Sequence, residues 1–175
     1  MAENTLIIGG CKSGKSRHAL VLAGQAPVKH RRFIATGIPF DAEMEDRIRR
    51  HRQERGPEWE TIEAPTDLIC AITGNDGPET LIVVDCITLW INNLLMKNHT
   101  GEEIVRYGDE LVEILKATTG PVFLVSNEVG GGIVPENALA RRFRDLAGII
   151  NGKIAGCARE VIWMVAGIPV SIKQA

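Results

Sequence analysis

Residues 9–16 restrict the fold of this chain more than any other stretch. They read G-x-x-x-x-G-K-S, and they stand between an apolar run at 5–8 and a run of helix-forming residues at 17–23. A glycine-rich loop between a strand and a helix presents backbone N–H groups inward, and the helix N-terminus adds partial positive charge. The motif therefore predicts a phosphate-binding loop, or P-loop. The alternative, a glycine turn with a chance Lys-Ser, does not account for both flanking patterns.

The residue types in this loop predict how it would hold a nucleotide. Lys15 is expected to contact the β- and γ-phosphates, and the Ser16 hydroxyl is expected to bind Mg²⁺. Asp85 ends an apolar run at 81–84, as the carboxylate of a Walker B strand does, and is a second predicted Mg²⁺ ligand. Many strands end in Asp, so this second signal depends on the first. The predicted phosphate-binding residues are Gly9, Gly10, Cys11, Lys12, Ser13, Gly14, Lys15 and Ser16.

Strand and helix patterns alternate along the rest of the chain. About six or seven apolar runs read as strands, and the last of them, at 170–173, reads as a short edge strand in a hairpin with 161–166. Such alternation is typical of a mostly parallel sheet flanked by helices. We predict an α/β fold of the P-loop NTPase type, formed by one domain over 1–175.

Composition excludes several classes of protein. The net charge is −2, so nothing global favours a nucleic acid or an anionic membrane as partner. The four cysteines form no C-x-x-C pair, which argues against a zinc ribbon or a disulfide framework. No apolar stretch is long enough to span a bilayer, and the N-terminus lacks a basic signal region. We expect a cytoplasmic protein.

Two further segments carry candidate chemistry. A predicted helix at 42–55 places acids first and arginines later, with His51 on the same face as Met44 and Ile48. The histidine either packs or contacts phosphate, or its imidazole attacks the α-phosphate of a nucleotide and releases pyrophosphate. At 126–135, Asn127 and Glu128 precede three glycines at a strand end, which fits either a substrate site or a flexible turn.

From these residues alone, a small-molecule kinase is the default reading. The guanine-reading N-K-x-D of small GTPases is absent, and 175 residues leave no room for the partner domains of a motor. A GTP-binding regulatory protein without transferase chemistry is the rival from another class.

The stretches D-C-I-T-L-W-I-N-N-L at 85–94 and N-E-V-G-G-G-I-V-P-E-N at 127–137 are more specific than the P-loop. With G-G-C-K-S-G-K-S-R at 9–17, they resemble the bifunctional adenosylcobinamide kinase / adenosylcobinamide-phosphate guanylyltransferase family of cobalamin biosynthesis, over nearly the whole chain. Cys11-Lys12 stands where that family more often has Ala-Arg. Arg50-His51 stands where some members have two histidines, which leaves one candidate nucleophile.

The resemblance implies two activities in one chain. The first phosphorylates adenosylcobinamide with ATP or GTP, and the second transfers GMP from GTP through a covalent histidine, here His51, to give adenosyl-GDP-cobinamide and pyrophosphate. It also implies a homotrimer, and it gives the kinase no clear catalytic base, for which Glu128 is a guess from its position. The nucleotide contacts that it implies beyond the P-loop are Ala35, Thr36, Gly37, Arg52, Gln53, Glu54, Arg55, Glu63 and Asp85.

Overall fold

The computed structural model describes residues 3–39, 46, 49 and 55–174. Seven strands lie in this part of the chain: β1 Asn4–Gly9, β2 His30–Ala35, β3 Trp59–Glu63, β4 Thr80–Asp85, β5 Val122–Asn127, β6 Glu160–Val165 and β7 Ile168–Gln174. The same part holds five helices: α1 Lys15–Gln25, α2 Leu68–Thr73, α3 Ile87–Met96, α4 Gly101–Ala117 and α5 Ala138–Cys157.

The strands form one sheet in the order β3-β2-β4-β5-β1-β6-β7. Strands β1 to β6 pair in parallel, and β7 pairs with β6 in antiparallel. The predicted fold class is therefore confirmed. The last strand is longer than predicted, because Ala166 and Gly167 both adopt positive φ and form a tight turn that pairs Val165 directly with Ile168.

The central strands are buried on both faces, as their continuous apolar runs require. In β4, Ile82 and Val84 join the larger core beneath α2–α5, whereas Leu81 and Val83 join the smaller core beneath α1. Helix α1 thus covers one face of the sheet, and α2–α5 cover the opposite face. This arrangement leaves the carboxyl ends of the parallel strands as one continuous edge, which carries the P-loop.

Most of the predicted helix at 42–55 lies outside the described residues, and so do His51, Arg52, Gln53 and Glu54. Asp46 and Arg49 have helical backbone, and an Arg49 guanidinium nitrogen lies 2.6 Å from Asp46 Oδ1. Among the helices of the described residues, none has the length and apolar character needed to cross a membrane.

Candidate nucleotide site

The P-loop leaves the sheet at the end of β1, between its neighbours β5 and β6. Gly9 pairs with Asn127 on one side and Met164 on the other. A Cβ on Gly9 would lie 2.6 Å from the Met164 carbonyl oxygen, so only glycine fits there. Gly14 has φ +87°, a conformation that L side chains rarely adopt. Both motif glycines are therefore required by the backbone geometry of the loop.

Lys15 and the start of α1 bring positive potential to this loop. Lys15 is 7% exposed, and its Nζ donates to the Gly10 carbonyl oxygen at 2.6 Å and to Ser13 Oγ at 3.4 Å. The first turn of α1 carries no acidic residue, and no side chain of the described residues caps it. Ser16 follows as the second residue of the helix, half-buried. A lysine, a helix N-terminus and a hydroxyl group are therefore adjacent, and this combination is suited to binding a phosphate group.

Cys11 and Lys12 form the exposed tip of the loop. Lys12 adopts φ +53°, the left-handed region that a non-glycine residue seldom occupies. Its ammonium carries a positive charge but offers no bidentate fork of the kind that an arginine would present to a phosphate.

Asp85 lies on the same edge, in register with two other predicted contacts. Ala35 pairs with Asp85 on one side and Glu63 on the other, so three predicted nucleotide residues form one row across β4, β2 and β3. Asp85 is half-buried, and no residue in the described part of the chain forms an ion pair or side-chain hydrogen bond with its carboxylate. Its oxygens remain available to a cation.

Thr36 ties β2 to the end of β4 instead of facing solvent. Its side chain is fully buried, Oγ1 donates to the Cys86 carbonyl oxygen at 2.7 Å, and Oγ1 accepts the Cys86 N–H at 2.8 Å. Asn93, 7% exposed on α3, donates through Nδ2 to the carbonyl oxygens of Thr36 at 2.7 Å and Pro65 at 2.9 Å. Sequence reasoning assigned no role to Asn93, although an amide inside an apolar helix is a signal that could have found it.

Charged groups at this edge of the sheet act on the buried thiol of Cys86. Burial raises the pKa of Cys86 to about 11, and the negative charge of Asp85 adds to this rise. A hydrogen bond with Thr88 and the positive charge of Lys15 act in the opposite direction. Lys15 and Asp85 therefore both act on one buried group.

The other predicted residues are placed differently. The Arg55 guanidinium lies 3.7 Å from the centroid of the Phe33 ring and donates to Thr61 Oγ1 at 3.4 Å, with Arg55 only 7% exposed. Glu63 is exposed and Gly37 is half-buried at the same edge. Glu128 is exposed, and its Oε1 accepts the Gly130 N–H at 2.6 Å. Nucleotide contact by Arg55 and Glu63, and the kinase role of Glu128, stay predictions.

Solved structures with a similar backbone agree with the fold. An ATPase from the type III secretion system of pathogenic bacteria superposes with a TM-score of 0.58 at 10% identity, covering 97% of this chain and 56% of that chain. A structure from Pyrococcus horikoshii OT3 superposes with a TM-score of 0.56 at 7% identity, covering 98% and 86%. At these identities the likeness concerns fold alone.

Sequence relatives are much closer. The bifunctional adenosylcobalamin biosynthesis protein CobU of Salmonella typhimurium strain LT2 is 42% identical over 180 residues, covering 96% of this chain and 98% of the relative. CobP of Pseudomonas aeruginosa, with the same description, is 38% identical and covers 96% of each. A family model described as "Cobinamide kinase / cobinamide phosphate guanyltransferase" matches residues 5–172. The chain therefore belongs to the cobinamide kinase / cobinamide phosphate guanyltransferase family.

Proposed function

We propose that this protein phosphorylates adenosylcobinamide with ATP or GTP and then transfers GMP from GTP to the product, with both reactions at the P-loop site of one domain. The observation that carries this is the P-loop at the end of a central strand, with Lys15 and Asp85 around Cys86, in a chain that matches a two-activity family over nearly its full length. Adenosylcobinamide, its phosphate and the nucleotides are the proposed substrates.

In the kinase reaction the acceptor oxygen forms a bond to the γ-phosphorus, the bond to the β–γ bridging oxygen breaks, and a nucleoside diphosphate leaves. The P-loop N–H groups and Lys15 hold the phosphates and stabilise the charge that develops on the transferring group. Ser16 and Asp85 fit a Mg²⁺ ion, because a hydroxyl and a carboxylate that no other described residue engages would provide oxygen ligands of the kind it prefers, with the phosphates as further ligands. Such an ion would neutralise charge on the phosphate oxygens.

In the guanylyl reaction the His51 imidazole is the proposed nucleophile. Its ring nitrogen forms a bond to the α-phosphorus of GTP, and the bond to the pyrophosphate oxygen breaks. A phosphate oxygen of the phosphorylated acceptor then attacks the same phosphorus and frees the histidine. We propose that this nucleotide is contacted by Ala35, Thr36, Gly37, Glu63 and the 52–55 segment. We also propose that the protein forms a homotrimer.

Labelling with nucleotide tests the second activity directly. Incubation with Mg²⁺ and α-labelled GTP should leave an acid-labile, alkali-stable label on the wild type and none on His51→Ala. His99→Ala is the matched control, because His99 lies two residues before α4, with its Nδ1 3.7 Å from Glu103 Oε2, and has no assigned role. A wild type that binds GTP but takes no label would contradict guanylyl transfer and leave a kinase or a binding protein.

Transfer of label from γ-labelled nucleotide to adenosylcobinamide tests the first activity. His51→Ala should keep this transfer, since the histidine acts only in the second reaction. Loss of both activities in that variant would contradict the division of labour proposed here.

A further inference from the structure

A chain of hydrogen bonds connects the carboxyl end of β5 with the residues that follow β4. Ser126 Oγ donates to Asn151 Oδ1 at 2.6 Å, and Asn151 Nδ2 donates to the Asn127 carbonyl oxygen at 3.1 Å. Asn127 Nδ2 then donates to Thr88 Oγ1 at 2.8 Å, and Thr88 Oγ1 lies 3.2 Å from Cys86 Sγ. Ser126, Asn151 and Thr88 are at most 6% exposed. Burying so many polar groups is tolerated only when they are mutually satisfied, and such networks fix side-chain orientation.

Asn127 is the member of this network that lies beside the P-loop and the Asp85 strand. Strand β5 lies between the P-loop strand β1 and the Asp85 strand β4, and Asn127 pairs with Gly9. Alternate residues of a strand share a face. Asn127 follows Val125 by two and Asp85 follows Val83 by two, and both valines pack in the core beneath α1. Asn127 and Asp85 therefore stand on the same face of the sheet as the P-loop helix.

The amide of Asn127 is oriented with its oxygen available. Thr88 engages Nδ2, whereas Oδ1 has no hydrogen-bond partner among residues 3–39, 46, 49 and 55–174. In that part of the chain every fully buried side-chain nitrogen or oxygen has a partner, so Oδ1 is not fully buried. A carbonyl-type oxygen accepts hydrogen bonds and repels phosphate oxygens. It suits a hydroxyl group rather than the nucleotide phosphates.

We propose that Asn127 binds the alcohol group of adenosylcobinamide during phosphorylation, with Oδ1 accepting the hydrogen bond of the attacking hydroxyl. This inference rests on the proposed function. The hydroxyl oxygen bonds to the γ-phosphorus as the nucleoside diphosphate leaves, and its proton leaves the hydrogen bond with Oδ1 for water. Asn127 takes no proton; it aims the lone pair of the oxygen at phosphorus, and Thr88 fixes the amide.

The two activities should depend on Asn127 unequally. The nucleophile of guanylyl transfer to the histidine is a ring nitrogen, and the later nucleophile is an ionised phosphate oxygen that has no proton to donate to Oδ1. Asn127 therefore assists the kinase reaction alone. This selectivity separates a role in acceptor binding from general support of the P-loop.

The test compares Asn127→Ala with wild type in three assays. Phosphorylation of adenosylcobinamide should fall about 100-fold in kcat/KM. Nucleotide affinity and the yield of histidine label from α-labelled GTP should stay close to wild type. Asn75→Ala is the matched control, because Asn75 donates to Ala71 O at 2.8 Å ahead of β4, at the opposite edge. It should leave all three readouts unchanged.

Variants of Thr88 keep the test decisive if Asn127→Ala folds poorly. Thr88→Val removes the hydroxyl that holds Nδ2 and should lower the kinase rate less than Asn127→Ala does, whereas Thr88→Ser should restore it. A wild-type rate in Asn127→Ala overturns the inference, and so does a parallel loss of labelling and nucleotide binding. If wild type transfers no phosphate, the proposed function itself fails and this inference fails with it.

Discussion

Asp76 and Asp85 are half-buried acids at opposite ends of β4: Asp76 precedes the strand, and Asp85 is its last residue. Their carboxylates differ in the contacts that they make. Asp76 accepts hydrogen bonds from Thr119 N at 2.9 Å, Thr119 Oγ1 at 3.0 Å and Gly120 N at 3.1 Å. Asp85 has no side-chain partner among the described residues. Within the described residues the first carboxylate joins two parts of the fold, whereas the second makes no such connection.

The two edges of the sheet differ in the same way. At the amino edge, Thr80 N donates to Gly77 O at 3.0 Å, and Gly120 packs against both residues. At the carboxyl edge, Cys11 and Lys12 are exposed, and a Cβ on Gly10 would meet nothing within 4 Å. Around Gly77 and Gly120 the amino edge is closed by internal hydrogen bonds, whereas among the described residues the tip of the P-loop at the carboxyl edge is open. Substitutions at the two edges should therefore damage different properties.

The largest effect is expected from Asp85→Asn. Loss of the carboxylate charge should lower both phosphorylation and histidine labelling roughly 100-fold or more, since both proposed reactions use a cation on the phosphates. The free energy of unfolding should barely change, because no contact within the described residues is lost. Initial rates over a Mg²⁺ series and a thermal unfolding curve measure the two quantities. A wild-type rate would remove Asp85 from the cation site.

Gly120→Ala should cause the largest loss of stability. An added Cβ would overlap the backbone carbonyl oxygens of Thr80 and Gly77, which cannot move aside as a side chain could. We expect about 3 kcal/mol or more of destabilisation. Urea unfolding measures it, with Gly10→Ala as control at the open edge, where the change should stay within about 0.5 kcal/mol. Equal destabilisation by Gly120→Ala and Gly10→Ala would contradict the proposed difference in packing between the two edges.

Asp76→Ala should destabilise moderately without altering catalysis. It leaves the N–H groups of Thr119 and Gly120 without their acceptor, which costs about 1–3 kcal/mol. Unfolding in denaturant should shift accordingly, while nucleotide affinity below the transition stays at the wild-type value. A change in affinity comparable to that of Asp85→Asn would show that the amino edge also supports the site.

The smallest effect concerns cysteine reactivity. Cys11 and Cys70 are exposed, whereas Cys86 is buried and has its pKa raised to about 11, so it should resist alkylation at neutral pH. Saturating Mg²⁺ and GTP should slow alkylation of Cys11 several-fold, because the bound nucleotide covers the loop. The rate at Cys70 should be unchanged, and mass spectrometry after timed quenching resolves each site. Equal protection of both would indicate a global change instead of local cover.

What the sequence predicted well was local in the chain. The strand, the glycine loop and the helix around 9–16 follow from neighbouring residues, and so do most of the other strands and helices. The order of the strands and the partners of Thr36, Asn93 and Asn127 do not, because each depends on which distant strands or helices meet. The family resemblance implies a nucleotide contact at Thr36, which stays a prediction, and the structure adds that its hydroxyl is engaged by the Cys86 backbone. That engagement depends on β2 and β4 being neighbours in the sheet.

The engagement of Thr36 has a mechanical consequence. Thr36 N donates to Asp85 O at 3.1 Å, and its hydroxyl joins both backbone groups of Cys86, so the end of β2 and the end of β4 form one stiff body. A displacement of residue 36 should therefore also displace the backbone of Asp85 and Cys86. In a search for altered nucleotide preference, Gly37 is the better position to substitute among the proposed contacts at 35–37, because a change at Thr36 would also remove its hydrogen bonds to Cys86.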